Sequence, residues 1–209
     1  MKKQLIQLEL SVLGAFSAMP LAVIYTTISA WLKDSNIEIK VITSFAIARV
    51  FYSLKFLWAP FIDNFTIPIL NRIGRRKSWL FLCSIANSIL MFLYSYYDQS
   101  MIIEHIYYLT ILLGFNSATF DIAFDAYRIE KVSKDMQALT VANVIAGYRV
   151  GLLVSGAGAM WYADNYGWKT SFILLGLLFF ICALTILLIC RENVFHKKIE
   201  KLNYKIWKE

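Results

Sequence analysis

An all-α membrane protein with six transmembrane helices is the fold class this sequence predicts, and three observations predict it. Of its 209 residues, 59% are hydrophobic and 17% charged. The mean hydropathy is +0.58, too apolar for a domain whose whole surface meets water. Six nearly charge-free runs reach the roughly 20 residues that a helix needs to cross hydrocarbon. Lysine and arginine, finally, crowd the connections on one side of the implied bilayer.

The first run, 10–32, is uncharged, with Gly14 and Pro20 inside it and Trp31 near its far end. These two helix-loosening residues suit a helix beside a cavity, though both are common in membrane helices. The second run, 41–60, carries Arg49 and Lys55. Runs 79–97 and 170–190 carry no charge and are bordered by aromatic residues that suit the headgroup boundary, so they read as lipid-facing helices. Run 106–124 holds Asp121, with Asp125 just past its end. Run 139–162 holds Arg149, together with Gly147, Gly151, Ser155 and Ala159 at every fourth position. That stripe of small residues lets another helix approach closely. Residues 1–190 thus read as one transmembrane domain and 191–209 as a basic tail.

Placing Lys2, Lys3, Arg72, Arg75, Arg76, Lys77, Arg128, Lys131, Lys134 and the basic residues of the tail on one side leaves Lys33, Lys40 and Lys169 on the other. Both termini are therefore predicted to be cytoplasmic, with the connections near Ser35, Gln99 and Asn165 outside. The net charge of +7 is mostly this asymmetry. The tail reads as a juxtamembrane anchor against anionic lipid, with no folded context for nucleic acid. The first run ends in "SAWLKDS" without a small-residue cleavage site, so it reads as a retained helix. Cys83, Cys182 and Cys190 show no paired spacing for a metal or a disulfide and read as packing residues. No phosphate loop, nucleophile elbow or His-rich motif is visible, so no cofactor or metal is expected.

Charges inside the runs need a reason, because an ionisable group in hydrocarbon costs about 3 kcal/mol or more unless it faces a cavity or a partner. Arg49 and Arg149 each lie about halfway along a run, near the bilayer midplane. Two cations at that depth suit an anion; the alternative is that each pairs with a carboxylate or helix carbonyls and only fixes packing. Lys55 lies roughly 9 Å closer to the cytoplasm than Arg49, at a depth that allows a pair with Asp121. At about 100° per residue, Asp125 is about 40° from Asp121 around the helix and Arg128 about 20° the other way, so the three share a face. Either this face serves gating and proton coupling, since a buried carboxylate can take up and release a proton, or it forms a static ion-pair cluster with Arg75 or Arg76.

These segments resemble a known family. "WAPFIDNFTIPILNRIGRRKSW" resembles the signature between spans two and three of the major facilitator superfamily, with extra residues between Asp63 and Gly74. "LKFLWAPFIDN", "GRRKSW", "FDIAFDAYRIE" and "VIAGYRVGLLVSGAGAMWYAD" are similar to segments of the AmpG-type muropeptide permeases. The resemblance implies one six-helix half, built as 3+3 inverted repeats, of a proton-driven inner-membrane symporter importing anhydro-muropeptides. It further implies a cytoplasmic latch of Asp63, Gly74, Arg75 and Arg76, and a cavity lined by Arg49, Lys55, Arg149, Tyr25, Tyr52 and Tyr148. The motifs match an N-terminal half, so a second six-helix half is the expected partner; a truncated form, a split gene and a decayed gene fit the sequence equally.

Three other readings stay open. An acetyl-coenzyme A type carrier of the same superfamily also wants midplane cations. A membrane fragment that assembles with another protein needs no substrate. An intramembrane hydrolase would need Asp98 and Asp121 to share a water, although they belong to opposite ends of a span.

Overall fold

Residues 2–68, 70–97 and 103–190 are described by a computed structural model; the tail 191–209 and the connection containing Asp98 and Gln99 lie outside the described residues. The described chain is helical, without strands. Five helices are long and apolar enough to cross a membrane: α1 (Lys3–Asp34), α5 (Arg75–Tyr96), α6 (Ile103–Lys131), α7 (Lys134–Tyr166) and α8 (Trp168–Leu188). Between α1 and α5 the chain crosses as a broken segment of short helices, α2 (Ile39–Ser44), α3 (Val50–Leu54) and α4 (Ala59–Asn64), joined by 3-10 turns at Phe45–Arg49 and Lys55–Leu57.

This segment corrects the expectation of a continuous second helix over 41–60. Pro60 sits in the first turn of α4. It has no N–H to give, and its ring conflicts with the carbonyl four residues earlier, so the preceding helix must end before it. It ends at Trp58, which caps α4 at φ −109° and ψ −2°. Two further helices outrun their apolar cores: α6 continues through Asp121, Asp125 and Arg128 to Lys131, and α7 begins well before residue 139. In α6 charge does not stop the helix: Asp121, Asp125 and Lys131 find partners on neighbouring elements, and Arg128 pairs with Asp125.

The bundle is held by two tight helix pairs. α1 and α7 meet along the small-residue stripe: a Cβ on Gly147 would strike the carbonyl oxygen of Ser11, and one on Gly151 that of Ala15. From the other side, Gly14 lets Val144 in, whose carbonyl oxygen lies 2.8 Å from where a Cβ would stand. Ser155 donates to Met19 O at 3.0 Å, and Thr27 donates to Ser155 O at 2.5 Å. The last bond joins two π-helical turns, Val23–Thr27 in α1 and Val154–Gly158 in α7. α5 and α8 meet at Gly176, where Ser88 donates to the glycine carbonyl at 2.8 Å and the Phe92 ring fills the space that a side chain would take.

These contacts carry the symmetry of two three-helix repeats. Exchanging first with fourth, second with fifth and third with sixth crossing maps the α1–α7 pair onto α6 with the broken segment, which do pack together. The same exchange maps α5–α8 onto itself. In the second pair Gly114 of α6 gives the close approach, against the carbonyl of Ala48. Two apolar clusters fill the bundle. One, toward the end bearing Asp34 and Gly167, includes Trp31, Tyr94 and Phe172, with Trp31 edge-on to both rings at 6.1 and 5.1 Å. The other, toward the end bearing Asp63 and Lys131, includes Leu10, Leu80, Phe120, Cys182 and Ile186. Cys83, Cys182 and Cys190 are unpaired and buried, as packing residues.

Candidate functional site

The 3-10 turn after α3 points Lys55 at α6, and Trp58 fixes that turn by donating to Thr119 at 3.2 Å and lying 5.2 Å from the Phe115 ring. Lys55 Nζ stands 3.7 Å from Asp121 Oδ2 and 3.6 Å from Asp125 Oδ2. Arg128 Nη2 reaches Asp125 Oδ1 at 3.2 Å, so the shared helical face read from the sequence is a connected charge cluster. The two carboxylates differ in cover: the Asp121 side chain is 19% exposed and that of Asp125 49%. Asp121 is the interior member, and α1 closes over it, with Ser17 donating to Oδ1 at 2.5 Å.

The remaining predicted residues surround this cluster. Arg49 lies over the Tyr25 ring, 4.6 Å from its centroid, and its Nε donates to Ala46 O at 3.3 Å. Tyr52 and Tyr148 lie within electrostatic reach of Asp121, each also of Tyr25, and Tyr148 of Arg149. Arg149 and Arg49 are exposed on the described chain. Neither guanidinium meets a carboxylate among the described residues, while Arg49 does bond a helix carbonyl, that of Ala46, the other form of the packing alternative. Arg49, three tyrosines and a Lys–Asp–Asp cluster thus lie near one another on α1, the broken segment, α6 and α7, with Arg149 next to Tyr148 on α7.

At the Asp63 end the basic motif forms a second cluster. Gly74 caps α5 at φ 111°, a conformation that favours glycine, and turns Arg75 and Arg76 toward α4 and α6. Arg76 is buried and bonds Asp63 at 2.6 Å and Glu130 at 2.9 Å. Arg75 meets Glu130 at 3.7 Å and not Asp63, which corrects the expected pairing of both arginines with Asp63. Asp121 and Asp125 pair with Lys55, and Asp125 also with Arg128, so Lys55 and Arg128 take the place that the sequence reading gave to Arg75 or Arg76 in an ion-pair cluster.

Four residues escaped the sequence reading. Glu130 was visible at the end of "FDIAFDAYRIE" but not as a partner. Ser17 and Ser117 look like ordinary small residues of membrane helices. Glu9, 7% exposed, precedes the first apolar run and is bonded by Lys131 and by Tyr127, the latter at 2.5 Å. Nearby, Gln7 donates to Thr140 at 2.8 Å and accepts from Asn143 at 3.0 Å, so polar side chains tie the start of α1 to α6 and α7.

A bundle of apolar helices in repeated triplets, with a charge cluster at Lys55, Asp121 and Asp125 inside it, is the arrangement of one half of a membrane transporter. The chain belongs to the Major Facilitator Superfamily, whose family model matches residues 10–203. It is 42% identical over 201 residues to "Putative transporter AmpG 4" of Rickettsia conorii, which covers 95% of this chain and 49% of that protein. It is 33% identical over 180 residues to the "Anhydromuropeptide permease" of Escherichia coli, covering 86% of this chain and 36% of the permease. A Haemophilus influenzae protein is 34% identical over 160 residues. The chain spans about half the length, or less, of these relatives.

Proposed function

We propose that residues 1–190 are the N-terminal half of a proton-coupled importer of anionic cell-wall fragments of the anhydro-muropeptide type, with both termini in the cytoplasm and residues 191–209 a basic tail against the inner face of the inner membrane. The observation that carries this reading is the pair Arg49 and Arg149, exposed and unmatched by carboxylates among the described residues, Arg49 over the Tyr25 ring and Arg149 next to Tyr148, with Tyr52 and Tyr148 in electrostatic reach of Asp121. Such cations are too costly to face lipid, so they face a cavity that a second six-helix half completes. There they meet the carboxylates of a muropeptide while the tyrosine hydroxyls and rings meet its sugars. Asp121 takes up the coupling proton, Asp125 and Arg128 gate the passage beside it, and the Asp63–Arg76–Glu130 cluster, with Gly74 and Arg75, holds one state of the rocking cycle. The name of the Escherichia coli relative supports the substrate class.

A chimera tests this directly. Residues 1–190 joined to the second half of the Rickettsia conorii relative, expressed in Escherichia coli lacking its own permease, should restore uptake of labelled anhydro-muropeptide. A protonophore should abolish that uptake. Uptake blocked by acetyl-coenzyme A and indifferent to excess unlabelled muropeptide would favour the other carrier type instead.

A further inference from the structure

A cavity of about 200 Å³ lies at the basic end of the bundle, between the start of α1 and the turn that joins α6 to α7. Lys3, Gln7, Lys131 and Ser133 form its polar wall, and Ile6, Val132 and Met136 its apolar one. Its depth follows from the sequence. Lys3 stands about 10 Å along the axis before the apolar run 10–32, and Lys131 and Ser133 fall between the runs 106–124 and 139–162. That is the level of the lipid headgroups, just outside the hydrocarbon. The polar wall is rich in donors. An ammonium has three N–H groups, and Lys131, whose side chain is 10% exposed, gives two of them to Glu9 and Tyr127 and keeps one. Ser133 stands in the capping position before the turn at Lys134–Met136 and makes no capping bond, so its O–H is uncommitted. Lys3 meets no carboxylate among the described residues. Gln7 gives one amide N–H to Thr140 and has a second.

We propose that this cavity binds the phosphate of an anionic phospholipid, with the two lysines and the serine hydroxyl on its unesterified oxygens and its glycerol and first acyl carbons over Ile6, Val132 and Met136. Lysine serves phosphate as a compact charge, and basic pockets between helices on the cytoplasmic side of a membrane bind such headgroups. The volume admits a phosphate with its glycerol. A soluble phosphate ester offers the same charged group, but only a phosphate that carries acyl chains also covers the apolar wall. Leu5 and Leu8, each 62% exposed on the same stretch of α1, put further apolar surface at this level. A lipid held here joins the start of α1 to the turn between α6 and α7, extending the tie that Gln7 and Glu9 make to Thr140, Tyr127 and Lys131. The proposal takes the inner-side placement of this end from the proposed function, and nothing from the substrate or the coupling proton.

Native mass spectrometry of the purified 209-residue chain in an uncharged detergent tests the site, with short-chain phosphatidylglycerol, short-chain phosphatidylcholine and glycerol 3-phosphate as ligands. Both ends of the chain are reachable in detergent, so a reversed orientation leaves the result unchanged. Wild type should retain one phosphatidylglycerol in preference to phosphatidylcholine. Lys3→Gln and Ser133→Ala should each weaken that binding about tenfold, the worth of one charge-assisted hydrogen bond, and Lys3→Glu should abolish it. Neither position makes a side-chain bond that the fold needs, whereas replacing Lys131 would strand the buried Glu9. Arg72→Gln removes the same charge from the same end, away from the cavity, and should bind as wild type does. Equal retention of the two lipids by wild type overturns the site. So does binding that Lys3→Glu and Ser133→Ala leave unchanged, or that Arg72→Gln weakens as much as Lys3→Gln. Glycerol 3-phosphate bound as tightly as phosphatidylglycerol overturns the lipid as the ligand, in favour of a soluble phosphate ester.

Discussion

At the residue scale, the two kinds of charge in the site make separable predictions. Asp121 is covered by Ser17 and matched by one lysine that it shares with Asp125, so its protonation state changes the charge of the cluster as a whole. In a complete transporter Asp121→Asn, which fixes the neutral form, should abolish proton-driven uptake and remove its pH dependence while the protein stays in the membrane. Normal uptake with normal pH dependence would reduce Asp121 to a packing partner. Arg149→Ala should instead raise the KM for an anionic substrate and leave the maximal rate nearly unchanged. A charge-assisted contact of this kind is worth about 1.5–3 kcal/mol, on the order of a tenfold to hundredfold change in KM. The sequence made these residues legible because charge is conspicuous in an apolar run. It concealed Ser17, Ser117 and Glu9, whose significance lies in what another helix brings to them.

At the element scale, periodicity and composition were enough to place five continuous helices, because lipid forces a backbone to satisfy its own hydrogen bonds. The broken second crossing was legible only in part. Pro60 stands in the sequence, but the 3-10 turn at Phe45–Arg49 contains no proline or glycine, and no local residue accounts for it. Helix contact makes the sharper prediction. At Gly151 an added methyl meets the Ala15 carbonyl, a backbone atom that cannot turn aside; at Gly156 the nearest atom is the Thr26 hydroxyl at 3.2 Å. Gly151→Ala should therefore push α1 and α7 apart and cost about 1–3 kcal/mol, as overpacking does. Gly156→Ala should cost little. Thermal unfolding in detergent checks the pair, with a clear drop in Tm for the first variant and near wild-type behaviour for the second. Equal losses would mean that the stripe is not the contact that holds the pair.

At the scale of the whole molecule, the distribution of charge makes one prediction for orientation and one for a second half. The basic end, with Lys3, Arg75, Arg76 and Lys131, is expected inside. Single cysteines replacing Ser35, Gln99 or Asn165, in a chain lacking the native cysteines, should react with an impermeant maleimide added outside; protection of all three would reverse the orientation. Completeness turns on α7, whose most apolar stretch is 22% buried against 61% for α1 and for α6. Exposure of Val150 and Leu153 means little, since lipid accepts them. Exposure of Arg149 beside them and of Arg49 on the broken segment is different, because lipid contact would cost each several kcal/mol. On the proposed function the face that carries them meets a polar cavity, which a single half cannot both enclose and open alternately to two sides. Vesicles containing this chain alone, as a monomer, should therefore show no saturable uptake of muropeptide, whereas the chimera with a second half should. Saturable uptake by the chain alone, lost when cross-linking and dilution show only monomers, would make a second copy of the same chain the other wall of the site.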